Sequence, residues 1–270
     1  MKPMRVVTMA VALVVGGAGI VSAEESVLAK VKREGALKVC VFQGAPDNYK
    51  DPKTGEWHGV MIDLLGELAN WMKVKIEKVE IEVGVAVLSI KRGDCDLIGS
   101  SLIYNVPRAL EINYVRPFWA KGMNAVIPKQ NPKKFKKPDD LNSEKVTIAV
   151  LVGSREHETA QRLFPKAKLT ALKVNADIQV AESVKRGDAD AALLPAITIR
   201  WWLGVPENAA WGTMGFPGQD FGNAPNGWAI RYGDPDWKDF LDAFSGWVAA
   251  NNISVRLYDD YLKRTNPFAK

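Results

Sequence analysis

The sequence predicts an α/β protein of two lobes joined by a two-strand hinge, and three observations carry that expectation. A strand, helix, strand pattern occurs twice. Each copy holds the same motif, Ile90-Lys91-Arg92-Gly93-Asp94-Cys95-Asp96-Leu97 and Val184-Lys185-Arg186-Gly187-Asp188-Ala189-Asp190-Ala191, with Lys-Arg-Gly-Asp-x-Asp identical in both. The last stretch reads as one strand followed by helices, so it starts no third unit and is expected to return to the first lobe.

Residues 1–23 read as an export signal. Lys2 and Arg5 precede an uncharged apolar run, Val6 to Val21, that closes in Val21-Ser22-Ala23 before Glu24. A basic start, an apolar middle and small residues at the cleavage point are what export requires. The run is shorter than the roughly 20 residues of a spanning helix, so the mature chain is expected to begin at Glu24, in the periplasm. The remainder of the 270 residues suffices for two lobes, and a 47% hydrophobic composition argues for a well-buried core. Removing Lys2 and Arg5 takes the formal charge from +5 to +3. The cluster Lys133, Lys134, Lys136, Lys137 lies between Pro132 and Pro138 and reads as a solvated loop, so nucleic acid is not an expected partner.

In the first lobe, expected over 24–120, Leu37 to Phe42 is an uninterrupted apolar strand. Asp51-Pro52-Lys53-Thr54-Gly55 is a turn signal for a β-hairpin. Val60, Met61, Leu64, Leu65, Leu68 and Met72 recur at helical spacing. Gly93 stops a second helix, and Asp96 to Ser100 is the next buried strand. The second lobe, expected over 121–220, repeats the scheme with a strand over Val146 to Val152, a helix capped by Ser154 and carrying Ala160 and Leu163, the stop at Gly187, and a strand over Ala191 to Leu194. Crossings are expected near Trp119 to Ile127 and Gly215 to Asn226. Residues 221–270 then return to lobe one, with a strand over Gly227 to Arg231 and helices over Trp237 to Tyr261.

Cys40 and Cys95 form an even pair in an exported chain, which favours a disulfide. The expected strand register opposes it. Cys40 lies mid-strand and Cys95 ahead of the next strand, an offset of about 13 Å at strand rise, beyond disulfide reach. Two free thiols are therefore expected.

Several motifs then line up in one order. Gly59-Val60-Met61-Ile62-Asp63-Leu64, the span from Asp96 to Arg108 with its Ser101, Ile103, Asn105 and Pro107, Val150-Leu151-Val152-Gly153-Ser154, Gly227-Trp228-Ala229-Ile230-Arg231 and Tyr258-Asp259-Asp260-Tyr261 together resemble the family 3 extracellular solute-binding proteins over essentially the whole mature chain. These are periplasmic receptors of polar amino-acid ABC importers with the two-lobed Venus-flytrap fold. The resemblance implies that Arg108 grips a ligand carboxylate, helped by groups at Ser101 and Ile103. A guanidinium is a rigid fork suited to a carboxylate, and Pro107 would set Arg108 in a helical first turn. Gly153 and Ser154 are expected to supply donors from the second lobe, with Ser154 equally readable as an N-cap. Tyr49, Tyr104 and Trp119, at strand ends or crossings, are expected to wall the pocket.

The sequence departs from the family where an amino-acid ligand would be recognised. Pro195 stands where an aspartate accepts the ligand ammonium, Phe42 replaces an acidic strand end, and Pro46-Asp47-Asn48-Tyr49 displaces the usual aromatic. Asp47 or a group of the other lobe is left as a substitute acceptor. The expected function is thus a monomeric receptor, not an enzyme, for a small carboxylate-bearing solute, partnered by an ABC permease of the inner membrane. No cofactor or metal is expected, since no zinc spacing, nucleophile elbow or phosphate loop occurs. Two alternatives share the fold: an accessory protein of a quinoprotein dehydrogenase, and an enzyme like the cyclohexadienyl dehydratases.

Overall fold

A computed structural model describes residues 25–264 and 266–269. The export signal expected over residues 1–23 lies outside them.

Helix α1 (Val27–Glu34) leads into β1 (Ala36–Val41). The strand is buried from Val39 onward, as an inner parallel strand covered on both faces must be. The hairpin forms between β2 (Tyr49–Lys50) and β3 (Trp57–His58). Its turn is held by the Asp51 carboxylate, which accepts from the amides of Lys53 and Thr54. Helix α2 (Val60–Met72) buries Val60, Met61, Leu64, Leu65 and Leu68, the stripe expected from their spacing. Then come β4 (Lys75–Glu80), α3 (Ala86–Arg92), β5 (Leu97–Ile103), α4 (Val106–Ala109), β6 (Asn113–Tyr114) and the long β7 (Trp119–Pro128).

The second lobe holds β8 (Thr147–Leu151), α5 (Arg155–Leu163), β9 (Lys168–Leu172), α6 (Ala181–Lys185), β10 (Ala191–Pro195), α7 (Ala196–Leu203), α8 (Pro206–Trp211) and β11 (Gly212–Met214). The chain returns along β12 (Phe221–Ile230) to α9 (Pro235–Ala250) and α10 (Ile253–Lys263). The two copies of the repeat behave alike. Gly93 and Gly187 follow their helices at φ 79° and 81°, left-handed geometry that only glycine adopts cheaply.

One hydrogen-bonded path of strands, β4-β1-β5-β12-β7-β10-β8-β9, runs through both lobes. Within lobe one β4, β1 and β5 are parallel, and within lobe two β10, β8 and β9 are parallel. The lobes meet at the antiparallel pair β7 and β12. The first half of β7 pairs β12, at Trp119↔Asn226 and Lys121↔Ala224, and its second half pairs β10. β12 in turn pairs β5 at Asn226 and Gly227. These two strands are the hinge of the two-lobed fold. Apolar clusters cover both faces of each lobe's sheet, with Leu64, Trp228 and Leu241 in one cluster of lobe one and Ile148, Leu193 and Phe216 in one cluster of lobe two.

The cysteines correct the sequence expectation: Cys40 and Cys95 are joined as a disulfide, with Cα atoms 5.5 Å apart. The register argument fails because Cys95 is not an extension of β5. Pairing with β1 starts at Val39↔Leu97, and Asp96 N donates to Lys38 O at 2.8 Å. Before that point the chain arrives from α3, which packs Ile90 over Cys40 and Ile98 on one face of the sheet. Cys95 therefore approaches Cys40 from above the sheet rather than from farther along it.

Candidate functional site

A cavity of about 60 Å³ lies between the lobes, and charged side chains converge on it from both. Lobe one contributes the end of β1 and the loop after it. Gly59 fixes that loop: its φ of 126° and a space in which a Cβ would sit 2.2 Å from Asp47 O admit only glycine, so α2 starts against the Asp47 backbone. Asp47 is thereby aimed inward. It forms a buried ion pair with Lys121 of β7, the side chains being 5% and 2% exposed. Tyr258 of α10 donates its hydroxyl to the other Asp47 oxygen. Burial, and then the Asp47 charge, push the Tyr258 phenol well above its ordinary range.

Lys121 also donates to Ser101 Oγ at 3.1 Å, and Asn226 Nδ2 donates to the same oxygen at 2.6 Å. Ser101 N donates to Asn48 Oδ1 at 3.2 Å. A charge buried so deeply persists only when paired and hydrogen-bonded, and this network meets that condition.

Arg108 sits on α4, capped by Asn105, whose Oδ1 accepts from Arg108 N at 2.8 Å. Its guanidinium donates to Ile103 O at 3.2 Å in its own lobe and to Gly153 O at 2.6 Å in the other. Asn105 Nδ2 spans the same gap to the Glu158 carboxylate at 2.8 and 2.9 Å. Ser154 caps α5, accepting from His157 N at 3.2 Å. In the first turn Arg155 pairs with Glu156 at 3.0 Å and donates to Lys121 O at 3.2 Å and to Gly222 O, fastening α5 to both hinge strands. Asp177 faces the cavity from a 3-10 turn, Asp177–Val180. Burial and the neighbouring Glu156 push its carboxyl up to about 7, against the pull of the Ile178 amide.

Of the residues expected from sequence, Arg108, Ser101, Ile103 and Ser154 line this cavity, and Gly153 meets it through Arg108. The three aromatics do not come to it. Tyr104 stacks on Tyr114 and donates to Val115 O. Trp119 packs on Tyr258. Tyr49 packs against Trp201 and Phe268 and faces a second cavity of about 550 Å³ beyond Gly44. That cavity is larger, but its Lys185 and Glu207 are exposed, and the buried charges converge on the smaller one. Sequence reading missed Lys121, Asn48, Arg155, Glu156 and Asp177 as lining groups. Lys121 had a signal, a lone charge inside the apolar run from Trp119 to Pro128. Among the described residues no group of three or more His, Cys, Asp or Glu could hold a metal, and no helix is long and apolar enough to cross a membrane.

A family model described as bacterial extracellular solute-binding proteins, family 3, matches residues 37–264. The L-cystine-binding protein TcyJ of Escherichia coli strain K12 is 22% identical over 241 residues, 89% of this chain and 86% of that one. Among solved structures, the ancestral amino acid-binding protein AncCDT-1, a precursor of cyclohexadienyl dehydratase, is 25% identical with a TM-score of 0.78, covering 88% of this chain and all of that one. A binding component of an ABC transporter from Wolinella succinogenes DSM 1740, complexed with lysine, is 25% identical with a TM-score of 0.77, over 86% of this chain and 97% of that one.

Proposed function

The chain belongs to the bacterial extracellular solute-binding proteins, family 3, and from that premise we propose that it is the periplasmic receptor of an ABC importer, closing around a small carboxylate-bearing solute. The observation that carries the reading is Arg108: one guanidinium lines the cavity and bonds a backbone carbonyl of each lobe, so an anion that engages it draws on both lobes at once. Ser101, Ile103 and Ser154 are its proposed companions. Lobe one is taken as 24–120 with the return 221–270, and lobe two as 121–220. The leader 1–23 would be removed after Ala23, and the mature monomer would present its closed form to an inner-membrane permease.

Binding energy then does mechanical work and no bond is made or broken. A cavity of about 60 Å³ suits a compact solute and is small for a carboxylated ring, which supports a receptor over a dehydratase. The test is thermal unfolding in the presence of a panel of amino acids and organic acids. At least one carboxylate is expected to raise the melting temperature by mass action, and Arg108→Ala is expected to abolish the rise. A flat panel, or a rise that Arg108→Ala leaves intact, refutes the assignment.

A further inference from the structure

Two buried N–H groups that line the inter-lobe cavity have no hydrogen-bond partner: Asn48 Nδ2 of lobe one and Arg155 Nε of lobe two. Asn48 cannot turn its amide over to relieve this, because its Oδ1 already accepts from Ser101 N. Buried donors without partners lose their hydration for nothing, and two that line one cavity mark the place of an acceptor. Most charges there pair within the chain, Asp47 with Lys121 and Glu156 with Arg155.

Arg108 and Asp177 are left over. Among the described residues the single hydrogen bond to the Asp177 carboxyl comes from Ile178 N at 2.7 Å, and no cation forms an ion pair with it. Its other oxygen is held against lobe one, 3.8 Å from where a Cβ on Gly44 would stand, and the backbones of Gln43 and Ala176 bridge at the same point. The cavity thus offers unsatisfied donors for an oxyanion and, among the described residues, a carboxyl with no paired cation. Asp47, the other substitute acceptor, is already filled by Lys121 and Tyr258.

Resting on the receptor reading above, we propose that Asp177 accepts the ammonium of a zwitterionic ligand, in place of the aspartate absent at Pro195, and that this ligand is an α-amino acid with a very short side chain. Size follows from volume. A cavity needs at least about 10–15 Å³ in this measure to admit one water-sized atom, so one of about 60 Å³ has room for only a few. Glycine, alanine and serine fall at or near that limit, whereas lysine, arginine and cystine lie far outside it. Zwitterion and site match in charge: carboxylate to Arg108, Asn48 Nδ2 and Arg155 Nε, ammonium to Asp177. The groups acting on Asp177 are Glu156 from α5, Asp47 from the loop after β1 and Lys121 from β7, and the two acids outweigh the lysine. A ligand ammonium reverses that balance and drives the proton off.

Isothermal titration calorimetry separates the possibilities. The probes are glycine, L-alanine and L-serine, their deaminated counterparts acetate, propionate and 3-hydroxypropionate, and the bulky L-lysine, L-arginine and L-cystine. Short amino acids are expected to bind about 10- to 100-fold more tightly than the deaminated acids, the worth of one charge-assisted hydrogen bond, and more tightly than the bulky ones. The isosteric Asp177→Asn is expected to bring alanine and propionate within a few-fold of each other. A second measurement needs no variant: alanine binding at pH 6, compared across buffers of different ionisation enthalpy, is expected to release a proton that vanishes at pH 8 and is absent with propionate. Propionate binding as well as alanine, an Asp177→Asn protein that still discriminates, or preference for the bulky amino acids overturns the proposal. Any of these with Arg108-dependent binding intact leaves the receptor reading standing, whereas no Arg108-dependent binding of any probe removes both.

Discussion

Lys121 shows how one residue ties fold and site together. Its ammonium is buried between Asp47, Ser101 Oγ and the ring of Tyr258, 5.2 Å from the ring centre. Removing one member of such a pair leaves the other charge uncompensated. Lys121→Met is expected to cost about 3–5 kcal/mol in urea unfolding, and Lys121→Met with Asp47→Asn to recover most of that loss. If the double variant is no better than the single one, the pair is not what holds the site. Legibility in the sequence also varied residue by residue. Arg108 was readable because an ordered motif leads to it through Asn105 and Pro107, and its local geometry is set within five residues. Lys121 carried only the signal of a lone charge in an apolar run and Asp177 none, because their roles depend on which groups the other lobe and the distant α10 bring to them.

At the scale of elements, the sequence reading was good wherever periodicity or a stop signal spoke. The stripe of α2, the hairpin over Asp51 to Gly55 and both Lys-Arg-Gly-Asp turns formed as expected. β12 carries weaker local signals: its first half, Phe221 to Asn226, lies in the crossing expected near Gly215 to Asn226 and contains Gly222, Asn223 and Pro225, and it pairs with β7 because the hinge supplies a partner strand. The cysteines failed for a related reason, since a strand register says nothing about the path of a helix over the sheet face. The disulfide ties α3 to β1 across a sequence separation of 55 residues. Chain entropy gives such a closure a worth of about 4 kcal/mol. Alkylation without reductant is expected to add no mass, and Cys40→Ala with Cys95→Ala to lower the unfolding free energy by about 2–4 kcal/mol. Mass added to both cysteines in the unreduced protein would contradict the bridge.

For the whole molecule, contacts between the lobes include the hydrogen bonds from Arg108 to Gly153 O, Asn105 to Glu158, and Thr198 Oγ1 to Ala45 O at 2.6 Å, beside the packing of Trp201 on Tyr49. Asp177 stands in the same gap and opposes them once ionised. Its carboxyl is raised from 3.8 to about 7 by burial and by Glu156, with Asp47 of lobe one adding to the rise. A carboxyl whose folded-state pKa lies above its unfolded value favours the compact form at low pH, and that contribution is lost progressively from about pH 4 until it is gone at about pH 7. In the open form Asp177 regains water and its pKa falls back, so the same sign applies to closing as to folding. The ligand-free protein is therefore expected to expand between about pH 4 and pH 7, read as a larger radius of gyration in small-angle X-ray scattering, and to melt at a lower temperature across the same interval. Asp177→Asn is expected to flatten both profiles. A short α-amino acid is expected to keep the wild type compact at pH 8, because its ammonium supplies the positive charge that Glu156 and Asp47 deny the ionised carboxylate. Compaction that is unchanged from about pH 4 to pH 7 in the wild type would show that Asp177 does not govern closure.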